Sequence, residues 1–197
     1  MSLRRAERTR GAVGLQSDGM ARDPDTIYTI GHGARPVEDL IEILRSAGVR
    51  LLVDVRTAPG SRRHPQFGRE SLGRALPASG IAYEWKRELG GWRRPLPDSS
   101  NTALRSPGFR GYADHMQGEE FRVAVSWLIE RAAHVPTALM CAESLWWRCH
   151  RRLLSDALLV RGWRVVHLME GRRQDHSLHP AARVQGYTLL YDRVNET

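Results

Sequence analysis

Lysine is all but missing from this chain: of its 30 basic residues, Lys86 is the one lysine and the rest are arginine. Cysteine is nearly as scarce, with only Cys141 and Cys149 in 197 residues. Two cysteines cannot build the disulfide framework on which small secreted domains depend, so the sequence points to the reducing cytoplasm. No apolar run approaches the roughly 18 residues that a membrane helix needs, which excludes a helical span and a membrane partner of that kind. The opening stretch, Met1 to Asp25, mixes Arg4, Arg5, Arg8 and Arg10 with glycine and serine. Lacking the apolar heart of a secretion signal, it reads as a disordered basic leader.

What is present is an ordinary globular composition, 41% hydrophobic and 26% charged, in a length that suits one domain over residues 26–197. The net charge of +8 is carried by guanidinium groups, planar forks that grip phosphate or carboxylate two-pronged. A nucleic acid or a phosphorylated small molecule is the partner such a balance favours.

Hydrophobic spacing alternates between two periods along the chain. Ile27 to Ile30 is a short β-rich run that ends at Gly31-His32-Gly33, and Pro36 opens a segment with Val37, Leu40, Ile41 and Leu44 at helical spacing. Val49 to Val55 is an apolar run of the buried-strand type. A helix over Arg69 to Ala78 and a strand over Ile81 to Trp85 follow, then a long irregular stretch from Leu89 to Gly111, rich in glycine and proline. One or two helical turns at Tyr112 to Met116, a helix over Glu119 to Ala133, a strand at Thr137 to Cys141, a helix through Leu153 and Leu158, and a strand at Trp163 to Met169 complete the pattern. Val184 and Tyr187 to Tyr191 offer a last edge strand. Strands alternating with helices predict an α/β, three-layer, Rossmann-like domain, with a mostly parallel sheet of about five strands flanked by helices.

In such a sheet ligands bind at the carboxyl ends of the strands, where loops emerge and helix N-termini point. His32, Asp54 with Arg56, Cys141 with Glu143, and Cys149-His150-Arg151-Arg152 all fall on that edge. Glu143 and Asp54 are placed to act as acid and base, His32 and His150 to assist them, and Arg56, Arg151 and Arg152 to hold an anion. Against this stand structural readings: Glu143 as a cap or an ion pair with Arg148 or Arg151, Asp54 as a partner of Arg56, His150 as a core histidine, Cys149 as a small core residue. Three chemistries compete. Cys141, Glu143, Cys149 and His150 are all possible metal ligands, but no paired C-x-x-C or H-E-x-x-H spacing appears, so no metal site is assigned. Cys141 followed by Arg148 suggests a thiol nucleophile of the phosphatase or rhodanese kind, at a spacing one residue too long for the phosphatase pattern. The third is carboxylate chemistry centred on Glu143 and Asp54.

The order of Thr29-Ile30-Gly31-His32, Asp54-Val55-Arg56 with Pro59 and Ser61-Arg62, Gly80-Ile81-Ala82-Tyr83, Leu89-Gly90-Gly91, and Cys141-Ala142-Glu143 with Cys149-His150-Arg151 resembles the family catalogued as domain of unknown function 488. The resemblance runs from about Ile27 to Tyr191. It implies a compact α/β domain of bacterial or archaeal cytoplasm and says little about a reaction. Through its motifs Ser61, Arg62 and Tyr83 join the residues expected to bind an anion or substrate. Gly33 departs from the family, which commonly has serine there.

The leading expectation is a nucleic-acid- or nucleotide-processing enzyme, hydrolytic and of the repair or base-processing type. Arg56, Arg62, Arg63, Arg93, Arg94, Arg151 and Arg152 would meet phosphate, and Trp85, Trp92, Trp146 or Trp147 would stack bases. Its rivals are a non-catalytic binding module that uses the same basic edge, and a Cys141-dependent thiol enzyme. No cofactor is identified.

Overall fold

The computed structural model describes residues 25–60 and 62–193. The expected leader, apart from Asp25, and Ser61 therefore lie outside the described residues.

Each helix follows from a local signal. The first, α1 (Val37–Ser46), starts after Pro36, carries Glu38 and Asp39 in its first turn and Arg45 in its last, and buries Leu40 and Leu44 one turn apart. The strand β2 (Leu51–Asp54) is buried at all four positions, as expected of a central parallel strand covered on both faces. With β1 (Thr26–Gly31), β3 (Ala82–Trp85), β4 (Thr137–Cys141) and β5 (Arg164–Met169) it forms a parallel sheet, to which β6 (Arg172–Asp175) adds antiparallel. The strand order is β3-β2-β4-β1-β5-β6.

The period-two alternation of the strands divides the interior in two. Leu52, Ala138, Met140 and Ile30 pack against α1 and α2 (Arg69–Ala78) through Leu40, Leu44, Leu72 and Leu76. Leu51, Val53, Leu139 and Ile27 face α3 (Pro107–His115), α4 (Glu119–His134) and α5 (Arg151–Leu159) through Tyr112, Phe121, Leu128, Leu153 and Leu154. The expected three-layer, Rossmann-like architecture is thus present, with six strands where the sequence pattern suggested about five.

Two expectations are corrected. The tail does not supply the edge strand: β7 (Ala182–Gln185) and β8 (Thr188–Tyr191) pair with each other as a separate hairpin. The true edge is β6, whose sequence Arg-Arg-Gln-Asp is exposed throughout and carries no apolar alternation to read. The helix expected at Tyr112 begins five residues earlier, because Pro107 sits in the first turn, where a missing N–H costs nothing.

The loop before α3 is held by one carboxylate. Asp114 accepts from Ser99 Oγ at 2.6 Å, Asn101 Nδ2 at 2.8 Å and the Leu96 amide at 2.9 Å, while Asn101 Oδ1 accepts from the Tyr191 amide at 3.0 Å. Replacing Asp114 with alanine strands these donors, so Asp114→Ala should lower unfolding free energy by about 1 to 3 kcal/mol. Urea unfolding followed by circular dichroism checks this; an unchanged midpoint would mean that the loop is fastened elsewhere.

Candidate functional site

The strands β2, β4 and β1 are neighbours, and their carboxyl ends open together. After β1 the chain leaves for α1 on one face of the sheet, and after β4 it leaves for α5 on the other. Connections that part in this way open a crevice at the strand ends, the usual ligand position of an open α/β sheet. A cleft of about 510 Å³ occupies it, lined by His32, Arg56, His64, Trp92, Glu143 and His150 among others. A second hollow of about 280 Å³ shares Cys141, Glu143 and His150 with the first and adds Cys149.

Asp54 and Arg56 form the floor. Asp54 is fully buried and accepts from the Arg56 amide at 3.1 Å, Arg56 Nε at 2.8 Å, Arg56 Nη2 at 2.5 Å and the Tyr83 hydroxyl at 2.8 Å. Both carboxylate oxygens are occupied, and Asp54 does not line the cleft. Its role here is to aim Arg56, as is that of Tyr83. Arg56 Nη2 also donates to the Phe67 carbonyl at 2.8 Å, and Nη1 reaches His32 Nε2 at 3.2 Å. An arginine can only donate, so His32 Nε2 accepts and Nδ1–H donates to the Gly33 carbonyl at 2.8 Å. Burial lowers the His32 pKa to about 4, and Arg56 adds to the shift. The ring, stacked on Phe67 at 4.1 Å, is therefore neutral near pH 7.

The opposite wall is built from sulfur and imidazole. His150 Nε2–H donates to the Val55 carbonyl at 3.0 Å, which leaves Nδ1 as the acceptor. That lone pair faces both sulfurs, Cys149 Sγ at 3.5 Å and Cys141 Sγ at 3.8 Å. The ring is clamped: the Tyr112 ring meets it edge-on at 5.1 Å, and a Cβ on Gly91 would come within 2.3 Å of Nδ1, so only glycine leaves it room. Although burial opposes ionisation, the Cys141 thiol and Arg151 hold the Cys149 thiol well below its ordinary pKa; the hydrogen bond to Cys149, together with burial, pushes Cys141 up. Cys141, Cys149 and His150 form the one cluster of three potential metal-ligating side chains found among the described residues.

Behind this wall lies a buried chain of polar groups that sequence reasoning missed. Arg151 Nε donates to Cys149 Sγ at 3.5 Å, Nη1 to Thr29 Oγ1 at 3.4 Å, and Nη2 to the Glu143 carbonyl. Thr29 Oγ1 is 2.7 Å from His167 Nδ1, His167 Nε2 is 3.0 Å from His176 Nδ1, and His176 Nε2 is 2.8 Å from Asp156 Oδ1. The Tyr191 hydroxyl donates to the second Asp156 oxygen at 2.8 Å. A carboxylate at one end and a guanidinium at the other fix every direction: Arg151 donates to Thr29, Thr29 to His167, His167 to His176, and His176 to Asp156. The signal for it was His167, a histidine in the middle of an apolar strand.

The remaining expected residues divide. Glu143 is exposed on the cleft wall, and its Oε1 accepts from the Leu145 amide at 3.0 Å. Arg151, 1% exposed, spends its donors in the interior and does not reach the cleft. Arg152 is half-buried on α5, Arg62 is exposed, and neither lines either hollow. Trp147 meets Trp146 edge-on at 5.7 Å away from the cleft, and Trp146 is buried flat against His167 at 4.0 Å. The tryptophan at the cleft is Trp92, 82% exposed. His64, which no motif singled out, also lines it. At Gly33, where the resemblance led one to expect serine, Ser144 Oγ lies 2.3 Å from the place a Cβ would take, so that hydroxyl occupies the adjoining space.

The buried imidazoles make stability depend on pH. Burial lowers His32 from 6.5 to about 4 and His167, with help from His176 and Arg151, to about 2. Between pH 6.5 and about 4 the unfolded chain therefore binds more protons than the folded one, and stability falls as the pH falls. Denaturant midpoints taken from about pH 7 down to about pH 4 should decline, and less steeply in His167→Gln. A slope identical in the variant would show that His167 is not held neutral.

The model of the family described as Domain of unknown function DUF488 matches residues 36–158, from the residue that opens α1 to the last residue but one of α5. No curated protein and no solved structure matches the chain. The match covers Asp54, Arg56, Tyr83, Glu143, both cysteines, His150 and Arg151, and it extends over more than half of the sequence. This chain belongs to the DUF488 family.

Proposed function

We propose that the chain is an enzyme that acts hydrolytically on a nucleotide, or on a base of a nucleic acid, in the carboxyl-edge cleft, with Glu143 as general base. The observation that carries this reading is the contrast between the two carboxylates: Asp54 is buried and saturated, whereas Glu143 stands exposed on the cleft wall with one oxygen on a backbone amide. No donor among the described residues reaches its other oxygen. Across the cleft, Arg56 offers Nη1 to an anion, and the exposed Trp92 ring offers a stacking face. The net charge of +8 suits a phosphorylated partner, and two free thiols suit the reducing cytoplasm. Among the described residues no helix is long and apolar enough to cross a membrane.

Glu143→Gln keeps the shape and removes the base. Losing a local cap at an exposed site costs about 1 kcal/mol or less, whereas losing a general base costs about a hundredfold in rate or more. The variant should melt within a few degrees of the parent and lose turnover of nucleotide or nucleic-acid substrates. Retained turnover would leave Glu143 a capping residue only. Binding should also weaken steeply with salt, because arginine–phosphate contacts release counterions. Binding without product formation by the parent protein would favour the non-catalytic module.

A second reading, the thiol enzyme, is favoured by His150 Nδ1 facing two sulfurs. It expects iodoacetamide to abolish turnover and Cys141→Ser to do the same while folding normally; activity surviving both treatments removes it.

A further inference from the structure

We infer that Cys141, Cys149 and His150 form a mononuclear zinc site whose fourth coordination position opens into the cleft. The inference deepens the hydrolytic reading, on which the use of the site in catalysis rests; the existence of the site rests on geometry alone.

Four observations converge. First, the three ligand atoms lie within 4.8 Å of one another, with Nδ1 at 3.5 and 3.8 Å from the sulfurs. A thiolate about 2.3 Å and an imidazole nitrogen about 2.0 Å from one tetrahedral Zn²⁺ are about 3.6 Å apart, so an ion fits with little movement. Second, the imidazole is oriented as metal-bound histidines are. Its Nε2–H is anchored on the Val55 carbonyl at 3.0 Å, and the clamp of Gly91 and Tyr112 fixes the ring plane. Third, Arg151 Nε–H points at Cys149 Sγ from the interior, the outer hydrogen bond that a coordinating thiolate accepts. Fourth, the sulfurs are sunk: Cys141 is 9% exposed and Cys149 4%. Cys141 and His150 both line the cleft, so an ion between them faces it.

Adjacent residues rarely ligate one ion, because their side chains diverge. Here the backbone reverses that tendency. Cys149 is extended (φ −119°, ψ 150°) and His150 is helical (φ −54°, ψ −20°), and the ring binds through Nδ1, the nitrogen nearer its own backbone. Two thiolates and one imidazole form a borderline-soft set that suits zinc. Three protein ligands with the fourth position open is the arrangement of catalytic rather than structural zinc, which brings the pKa of a bound water to about 7. Glu143, two residues beyond Cys141 on the same wall, is the carboxylate available to take the proton of that water. A Cys₂His ion beside a glutamate that is not a ligand is also the donor set of hydrolytic nucleobase deamination. The first substrate chemistry to try is therefore addition of water to the ring carbon that bears an exocyclic amino group, with Glu143 passing the water's proton to the amino nitrogen and the C–N bond breaking to release ammonia.

The test uses the full chain, reduced and stripped of metal with a chelator, then titrated with Co²⁺ and with Zn²⁺. About one ion per chain should bind, with sulfur-to-cobalt charge-transfer absorption and the intense visible bands of a tetrahedral ion, both displaced by Zn²⁺. Cys141→Ser and Cys149→Ser should each weaken binding at least tenfold, and Zn²⁺ should slow iodoacetamide labelling of both thiols in the parent, a measurement that needs no variant to fold. Absence of the charge-transfer band, its persistence in both variants, or labelling unaffected by Zn²⁺ overturns the inference. Turnover that survives complete removal of metal overturns the catalytic use and leaves Glu143 standing. A bound ion in a protein whose Glu143→Gln variant still turns over does the reverse.

Discussion

A guanidinium that is 1% exposed needs a partner for each of its nitrogens, and the interior around Arg151 supplies one to each. Its three hydrogen-bond partners come from three segments: Thr29 in β1, the Glu143 carbonyl after β4, and Cys149 at the start of α5. The side chain thereby ties together the strands and the helix between which the cleft opens. From it the hydrogen bonds run to the Cys149 sulfur on one side and, through Thr29, His167 and His176, to the carboxylate of Asp156 on the other. Removing any member would leave a buried donor or acceptor without a partner, the costliest kind of polar defect. The network accordingly specifies one arrangement of the strand ends, and the ring of Trp146, lying flat on His167, seals it from the side.

The cleft repeats this division between groups that hold and groups that meet a ligand. Asp54 and Tyr83 hold Arg56, and Arg56 in turn fixes His32 as the neutral Nδ1–H tautomer. Two histidines of the site region thus differ in kind. His32 offers the interior an acceptor already engaged by Arg56, whereas His150 keeps its acceptor for the sulfurs. Near neutral pH the charge at the cleft floor comes from Arg56 rather than from His32. A ligand anion would therefore meet a donor whose direction is set in advance, the condition under which a charged hydrogen bond adds specificity as well as affinity.

Much of the fold was legible because two periods of hydrophobicity are plainly written: Arg69–Ala78, Thr137–Cys141 and Glu119–His134 appear within a residue or so of where spacing put them. The failures share a physical cause. An exposed edge strand such as Arg172–Asp175 buries nothing and so carries no pattern. Pro107, Gly108 and Gly111 read as breakers, yet the proline opens α3, and Gly111 lies where the helix crosses the backbone of Arg93 to Pro95 too closely for a Cβ. Burial of charge was also invisible. Asp54, Arg56 and Arg151 look like ligand-binding groups in a one-dimensional reading, and only tertiary partners reveal that Asp54 and Arg151 face inward.

The candidate site was legible as a place where strand ends meet, whereas its cluster of two sulfurs and an imidazole was not, and the reason lies in how each would be inferred. Location follows from a rule about parallel sheets that needs only strand ends, and that rule brought His32, Cys141, Glu143 and His150 to one cleft without any motif. Chemistry was sought in spacings, and spacing rules presume a particular backbone between the ligands. The paired-cysteine pattern presumes a tight turn, and the histidine pair at i and i+4 presumes a helix. Between Cys141 and Cys149 the chain instead makes a short 3₁₀ turn over Trp146–Arg148 that brings the second cysteine back under the end of β4, and the change from extended to helical backbone at Cys149-His150 turns adjacent side chains to one side. No linear pattern encodes that return. It depends on Trp146 being buried against His167, and hence on the same polar network that anchors Arg151. The convergence of two sulfurs and an imidazole is thus a consequence of packing several residues away, which is why it emerges only in three dimensions.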